Sequence, residues 1–267
     1  PFHTYLPRHW NVHDSIKYVT FKDIMEHRSG FRFGGDSEFY NDIKGNMVQG
    51  CNMSLRGEFD YSNHNYDVMR LLIPAVAGYD IPQYNKNPGA AELMQAGMYA
   101  GFYVTYIQNE VFAPAGIDNP GSISCKALPF VTGKCYKFPY NNKSGTDFGD
   151  VTLEAGAQGW VMSAAQLAKF FRKLHYSTSI LSQEFSEFMI KYKMGYDRSG
   201  NTDRGMTCYW KGGSYSSNQN AGALKSLVIG FGNHVQVSLI INSDFTGPKA
   251  ARTVIMEAVD NMPKSFK

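Results

Sequence analysis

The stretch GALKSLVIGFGNHVQVSLIINSD, residues 222–244, decides the fold class of this chain. It consists of two β-rich runs joined at Gly232-Asn233, a dipeptide that favours a tight hairpin turn. A third β-rich run, 204–213, precedes it, and an amphipathic helical pattern, 247–262, follows it. This order predicts an antiparallel meander with one helix packed on it.

The chain before the meander is predicted to be mainly helical. Thr20 and Ser163 stand where the N-caps of helices are expected. Helical patterns cover residues 19–31, 63–81, 91–113 and 163–176. Residues 32–59 are rich in Gly and Asn and are predicted to be mostly loop. We therefore expect one α+β domain, with approximately 1–200 mainly helical and 201–267 holding the strands and the terminal helix.

Composition and charge argue against several functions. The 267 residues are 43% hydrophobic and 18% charged, which is ordinary for a folded protein, and the net charge is +3. No run of Lys or Arg is dense enough for nucleic-acid binding. No apolar stretch reaches the ~20 residues that a membrane span needs. We therefore expect a small-molecule or peptide substrate, no nucleic acid and no transmembrane segment.

The cysteines argue against a metal site. Four are present without a Cys-x-x-Cys pair, and the seven histidines are scattered, so we expect no zinc and no other cofactor. Cys125 and Cys135 flank KALPFVTGK, a predicted loop that can bring its ends together. They are predicted to form a disulfide if the protein is exported, and to be free thiols otherwise.

The chain starts at Pro1-Phe2 without methionine, so we expect that an upstream part has been removed. A secreted or periplasmic location is expected before a cytoplasmic one, and an organelle is a further alternative.

The segment GEFDYSNHNYDVM, residues 57–69, contains Tyr61-Ser62-Asn63 between an acidic, strand-like stretch and an apolar stretch. A Tyr-x-Asn tripeptide also arises by chance in a chain with 17 tyrosines, and Tyr140-Asn141-Asn142 is a second example. The tripeptide alone therefore fits either a polar turn or part of a catalytic site.

Five separated segments give the tripeptide a context. They are YLPRHW…VTFKDIMEHRSGF (5–31), FDYSNHNYDVM (59–69), VFAPAGI (111–117), AGAQGWVMSAAQLAKFF (155–171) and YWKGGS (209–214). In this order they resemble motifs of the serine β-lactamase and penicillin-binding-protein family. The resemblance is to its class C-like branch of β-lactamases, D-alanyl-D-alanine carboxypeptidases, esterases and amidases. It implies an antiparallel sheet flanked by helices beside a mainly helical region.

The resemblance also implies roles for individual residues. Tyr61 would shuttle protons to and from a serine nucleophile, because a phenol near lysine ammoniums can act as a base. Asn63 would offer its amide to a substrate carbonyl. Lys211 would supply positive charge, and the backbone N–H of Ser214 would help to bind the tetrahedral oxyanion.

One departure from the family pattern concerns the nucleophile. The family's Ser-x-x-Lys supplies the attacking serine and its activating lysine. No serine of this chain has a lysine three residues later, and Ser122 to Lys126 has the wrong spacing. We expect this motif upstream of Pro1, together with the first helix and the first two strands. Without those strands the sheet would keep a bare edge.

A second departure concerns the strand motif, in which Gly212 replaces the usual threonine before Gly213. Both glycines are predicted to contact the substrate. The missing hydroxyl removes a hydrogen bond worth roughly 1.5–3 kcal/mol to a charged acceptor. This weakens the β-lactamase and carboxypeptidase interpretations, whose substrates carry a carboxylate, relative to esterase or amidase.

Two functional hypotheses follow. In the first, the complete protein is a serine acyl-transfer hydrolase, and this chain alone is inactive because it lacks the nucleophile segment. In the second, the protein is a non-catalytic relative that serves binding or assembly. A structural interpretation also stands beside both, in which Tyr61 bonds a helix end and Lys211 is a solvated strand residue. Catalysis predicts that Tyr61, Asn63 and Lys211 converge on one cleft.

Overall fold

The structure is a computed structural model of residues 1–267. It describes residues 1–31, 40–82, 88–128, 132–137, 144–216, 222–243 and 248–263. The chain forms two compact units. The first unit comprises Pro1–Ala113, Asn119–Lys126 and Asp150–Val161, and the second comprises Pro114–Asp118, Ala127–Gly149 and Met162–Lys267.

The first unit is helical. Its α-helices are α1 (Phe21–Met25), α2 (Tyr40–Gln49), α3 (His64–Asp67), α4 (Met69–Val76) and α5 (Pro88–Ile107). A π-helical segment, Gln108–Phe112, continues α5, and short 3₁₀ helices cover Phe2–Tyr5, Asp14–Tyr18, Pro120–Ser122 and Thr152–Glu154. The core of the unit contains Leu71 and Leu72 of α4 and Tyr99 of α5, all buried. Burial of these apolar side chains is the main force that holds the helices together.

The start of α1 is set by a capping box, as predicted for Thr20. The Thr20 hydroxyl accepts the Asp23 N–H (3.1 Å), and the Asp23 carboxylate accepts the Thr20 N–H (2.9 Å). The helix is shorter than predicted, because the chain turns at His27 (φ 54°) and Gly30 (φ 72°). A Cβ at Gly30 would lie 2.5 Å from the carbonyl oxygen of Asn52, so only glycine fits this turn.

Helix α2 corrects the prediction that residues 32–59 are mostly loop, of which 32–39 lie outside the described residues. Its buried side chains Tyr40, Ile43 and Met47 recur at helical spacing. The Tyr40 hydroxyl also donates to the buried Gln95 of α5 at 2.7 Å. Tertiary packing of this face outweighs the poor helix propensity of the Gly and Asn residues around it.

The second unit holds the sheet. Its elements are α6 (Ala164–Tyr176), α7 (Gln183–Tyr192), β1 (Arg198–Asn201), β2 (Thr207–Ser216), β3 (Ala223–Phe231), β4 (Gln236–Ile241) and α8 (Ala251–Asp260). The strand order is β1-β2-β3-β4, and every neighbouring pair is antiparallel. Among the described residues β4 has no partner strand on its outer side. Helices α6 and α7 group with the strands in this unit.

The predicted meander is confirmed. The turn at Gly232-Asn233 joins β3 to β4, and the Phe231 N–H donates to the Val235 carbonyl across it at 2.9 Å. Ser163 caps α6 as predicted, with its hydroxyl accepting the Gln166 N–H at 3.2 Å.

Both faces of the sheet carry apolar side chains. On one face Trp210, Ile229 and Phe231 pack with Val259 of α8. On the other, Tyr209 and Val228 pack with Phe171 of α6. Helix α8 starts at Ala251, which is later than the predicted start at 247. The sheet is therefore covered by a helix on each side.

All four cysteines are free thiols in the structure, so the predicted bridge between Cys125 and Cys135 is not present. Cys125 Sγ lies 3.9 Å from the Gln158 carbonyl, whereas Cys135 exchanges two backbone hydrogen bonds of 2.9 Å with Thr146. Burial raises the pKa of Cys125 to about 12 and the pKa of Cys135 to about 11. Both sulfurs stay protonated at neutral pH, which slows their oxidation.

Within the described ranges, no helix has the length and apolar character needed to cross a membrane.

Candidate active site

The predicted motif Tyr61-Ser62-Asn63 forms the turn that leads into α3. The Asn65 N–H donates to the Ser62 carbonyl (3.2 Å), and the Tyr66 N–H donates to the Asn63 carbonyl (2.8 Å). Asn63 occupies the N-cap position of α3. The Tyr61 side chain is 50% exposed. The turn therefore keeps its backbone fixed while half of the tyrosine surface stays accessible.

His27 supports the tyrosine turn. Its ring centroid lies 4.4 Å from that of Tyr61 with the planes 33° apart, and 4.7 Å from that of Tyr66 at 79°. The Ser62 N–H and the Asn65 side-chain amide both donate to His27 Nδ1, each at 3.3 Å. A ring nitrogen that accepts hydrogen bonds bears no proton. The neutral imidazole with its proton on Nε2 is therefore the form that fits this site.

The backbone of His27 is held in a left-handed conformation. The residue is buried, and its φ of 54° lies in the left-handed region, which is uncommon for residues other than glycine. The His27 carbonyl accepts the Asp60 N–H (2.8 Å), and the Arg28 carbonyl accepts the Gly57 N–H (2.9 Å). These bonds tie the segment before Tyr61 to the end of α1 and keep the imidazole under the phenol ring.

A buried polar group follows the tyrosine turn on α3. Asp67 is completely buried, and its carboxylate lies 3.7 Å from the Nδ1 of His64, which is buried as well. Burial raises the pKa of Asp67 to about 7, while the guanidinium of Arg70 opposes the shift and Glu154 adds to it. Near neutral pH this carboxyl group is therefore partly protonated, which makes it the most pH-sensitive acid close to the turn.

The lysine of the predicted strand motif lies on β2 beside an unexpected carboxylate. Lys211 Nζ donates to Asp197 Oδ1 at 2.7 Å, and the Gly212 N–H donates to Asp197 Oδ2 at 2.7 Å. The Asp197 N–H in turn donates to the Trp210 carbonyl at 3.0 Å. One carboxylate therefore engages both the ammonium and a backbone N–H of the motif.

The edge of β2 beyond this carboxylate carries the predicted oxyanion donor. Strand β1 pairs with β2 only as far as Trp210, which lies opposite Arg198. The N–H groups on one edge of a strand recur at every second residue, so the N–H of Ser214 is on the same side as that of Gly212. Gly213 and Ser214 are both exposed. The Ser214 N–H thus lies on the side of β2 that faces β1, past the last residue pair of the two strands.

The predicted site residues therefore form two groups. Lys211, Gly212, Gly213 and Ser214 follow one another along β2 in the second unit, and Tyr61 and Asn63 share one turn in the first. The approach of these two groups to each other stays a prediction.

Sequence reasoning assigned no role to His27 or Asp197. A signal existed for His27, which is the histidine of the segment EHRSG within the first matched motif. No signal existed for Asp197, because nothing in the sequence links it to a lysine that follows 14 residues later. Only the pairing of β1 with β2 brings the two together.

Chemically, the two groups can provide an exposed phenol, an ammonium and a backbone N–H donor. Among the described residues, no group of three or more His, Cys, Asp or Glu side chains could hold a metal ion.

Comparison with known proteins identifies the family of this chain. The profile of the Beta-lactamase family matches residues 1–227. PbpX of Bacillus subtilis (strain 168), whose name proposes a penicillin-binding protein, is 28% identical over 222 residues, or 81% of this chain and 48% of PbpX. The crystal structure of FmtA from Staphylococcus aureus matches with a TM-score of 0.60 at 18% identity, over 93% of this chain and 64% of FmtA.

The likeness to FmtA supports the fold, an antiparallel sheet with helices of the β-lactamase and transpeptidase type. The chain spans about half the length of PbpX and less than two thirds of FmtA. The match to the family profile covers most of the chain, including Tyr61-Ser62-Asn63 and the strand with Lys211. The chain therefore belongs to the β-lactamase family.

Proposed function

We propose that this chain is part of a serine hydrolase that transfers an acyl group from an ester or amide first to a serine and then to water. Two retained motifs, the turn with Tyr61 and the strand with Lys211, support this function. A member of the β-lactamase family keeps a half-exposed Tyr61 in a fixed turn, and it keeps Lys211 on a strand with the exposed Ser214 at its edge. Each motif supplies one function that acyl transfer needs.

In this mechanism the serine oxygen attacks the acyl carbon, and Tyr61, acting as a phenolate, accepts the hydroxyl proton. The Ser214 N–H donates to the oxyanion of the tetrahedral intermediate, and the positive charge of Lys211 favours the same negative charge. Asn63 orients the substrate through its amide. When the intermediate collapses, the bond to the leaving group breaks and Tyr61 returns the proton to that group. Water then enters and releases the acyl group by the same sequence of proton transfers.

The nucleophile is proposed to lie in a segment of the polypeptide outside these 267 residues. The outer side of β4 supports this proposal, because it has no partner strand among the described residues and could pair with further strands. An exported location, secreted or periplasmic, is proposed with it.

An ester or amide without a carboxylate is the proposed substrate class. Gly212 has no hydroxyl that could bind a substrate carboxylate, and that loss affects penicillins and D-alanyl-D-alanine peptides more than neutral esters.

Covalent labelling tests the proposal. The complete encoded polypeptide is mixed with p-nitrophenyl acetate, and separately with benzylpenicillin, and its intact mass is followed with time. We expect an acetyl adduct on one serine that disappears on hydrolysis, and a weaker or absent penicilloyl adduct. Absence of any adduct and of any turnover would contradict the proposal.

A non-catalytic binding protein is the second candidate. The ion pair between Asp197 and Lys211 favours it, because it already compensates the charge that the strand would offer to a reaction. The same labelling experiment separates the candidates, since a binding protein forms no acyl-serine.

A further inference from the structure

The carboxylate of Asp197 accepts hydrogen bonds from two donors of β2. Its Oδ1 accepts from Lys211 Nζ, and its Oδ2 accepts from the Gly212 N–H, both at 2.7 Å. Charge-assisted hydrogen bonds of this length are among the stronger polar contacts in proteins. An ammonium and a backbone N–H that converge on one carboxylate form a carboxylate-binding site, and a side chain of the same chain fills it.

The main chain fixes Asp197 in this position. Its N–H donates to the Trp210 carbonyl at 3.0 Å, immediately before β1 pairs with β2. The side chains of Lys211 and Asp197 remain 28% and 32% exposed, so solvent screens the pair. Pairs of this kind contribute little to folding stability. We therefore expect the Lys211–Asp197 pair to affect mainly the binding of ligands at the edge of β2.

Gly212 lies in contact with the carboxylate. A Cβ at this position would lie 3.4 Å from Asp197 Oδ2, which is an ordinary van der Waals distance.

We propose that Asp197 determines which substrates the strand edge accepts, and this rests on the function proposed above. An incoming carboxylate would find both donors engaged and would meet the like charge of Asp197, which disfavours its binding. An acyl donor whose group beside Asp197 is uncharged or cationic meets no such repulsion. Asp197 thus acts as a specificity-determining residue against carboxylate-bearing substrates.

A binding measurement on the chain itself tests the occupied site without relying on activity. The probe is acetate, and the readout is the amide resonance of Gly212 in ¹H–¹⁵N NMR spectra. In the unmodified chain acetate should leave this resonance unchanged. In Asp197→Ala acetate should shift it saturably, because the Gly212 N–H loses the carboxylate to which it donates. Asp203→Ala is the matched control, since it removes the same charge from an exposed position of the same hairpin and should behave like the unmodified chain.

Asp197→Asn sharpens the result, because its amide oxygen can still accept from the Gly212 N–H while the negative charge is gone. Its Gly212 resonance should lie between those of the unmodified chain and Asp197→Ala. Saturable acetate binding to the unmodified chain, as tight as to Asp197→Ala, would overturn the proposal.

A kinetic measurement on the complete polypeptide tests the consequence. Two esters with the same leaving group are compared, one neutral and one with a carboxylate on the acyl side. Asp197→Ala should change the ratio of their kcat/KM values by about ten- to a hundredfold towards the carboxylate, and Asp197→Ala/Gly212→Thr should change it further. An unchanged ratio with both esters hydrolysed would refute the role of Asp197. If no variant hydrolyses either ester, the proposed function fails, and the acetate titration alone decides about Asp197.

Discussion

The tyrosine turn and the lysine strand hold their polar groups by opposite means. Tyr61 lies on the buried ring of His27, whose backbone is left-handed and whose Nδ1 accepts two hydrogen bonds. Lys211 is paired at a strand edge with Asp197, and both side chains are partly exposed. A buried ring supports the first residue, and a solvent-screened ion pair engages the second. Substitutions near the turn should therefore affect stability, whereas substitutions at the strand edge should affect selectivity.

Each unit contains a buried ionisable group that burial keeps neutral. In the first unit burial raises the pKa of the acid Asp67 to about 7, and in the second it lowers the pKa of the base His175 to about 4. Both groups are neutral when folded, but they respond to pH in opposite directions. The contrast gives each unit its own pH signature.

The largest expected effect is the pH dependence caused by Asp67. Its pKa is raised from 3.8 to about 7, so the folded protein retains a proton that the unfolded chain loses. This stabilisation is complete below about pH 4 and is lost as the pH rises to 7, a change of roughly 4 kcal/mol in the free energy of unfolding. Urea denaturation of the unmodified chain and Asp67→Asn between these pH values measures it. Parallel pH profiles for the two proteins would contradict the assignment.

His175 should produce a somewhat smaller effect of opposite sign. Its Nδ1 contacts the Ser186 hydroxyl at 2.8 Å and its Nε2 contacts the Tyr196 hydroxyl, and the whole group is buried. Because burial lowers its pKa from 6.5 to about 4, the stabilisation is complete above pH 6.5 and is lost as the pH falls to 4. The change should be roughly 3 kcal/mol. Amide hydrogen exchange in α6 and α7 should accelerate over this range, and His175→Gln should abolish the pH dependence.

The support of Tyr61 by His27 predicts the next effect. His27→Ala should lower the free energy of unfolding by roughly 2–3 kcal/mol, because it removes a buried ring and an acceptor for two donors. His27→Asn should cost less, since asparagine keeps an acceptor and tolerates a positive φ. Urea denaturation gives the energies, and the ring resonances of Tyr61 in NMR spectra report its packing. Unchanged Tyr61 resonances in His27→Ala would show that His27 does not support Tyr61.

The smallest effect on stability is expected at the strand edge. Lys211→Ala should change the free energy of unfolding by at most about 1 kcal/mol, because the ion pair is screened by solvent. The same denaturation experiment measures this change. A loss as large as that of His27→Ala would show that the pair is structural and that the two regions do not differ as described.

Much of the fold could be predicted because local signals agree with the tertiary structure. Thr20 and Ser163 cap helices with their own side chains, and Gly232-Asn233 suits a hairpin whatever surrounds it. Strand β1 was missed, since Arg198–Asn201 is exposed along its whole length and is ordered by pairing with β2. Long-range pairing of this kind leaves no pattern in the local sequence.

The candidate site, too, could be predicted from the sequence only in part. Tyr61, Asn63 and Lys211 could be proposed from motifs with the right neighbours, whereas the group that engages Lys211 could not. Asp197 follows α7 and acquires its role only when the sheet forms. The side chain that holds a motif residue in place is set by topology, which the motif itself does not encode.

Proton transfer by Tyr61 in acyl transfer is tested by the acylation rate of Tyr61→Phe in the complete polypeptide. The substitution keeps the ring that packs on His27 and removes only the hydroxyl, so the unfolding transition should stay unchanged. Acylation by p-nitrophenyl acetate should slow by about 10²–10⁴-fold. A rate equal to that of the unmodified protein, with the fold intact, would show that Tyr61 does not transfer the proton.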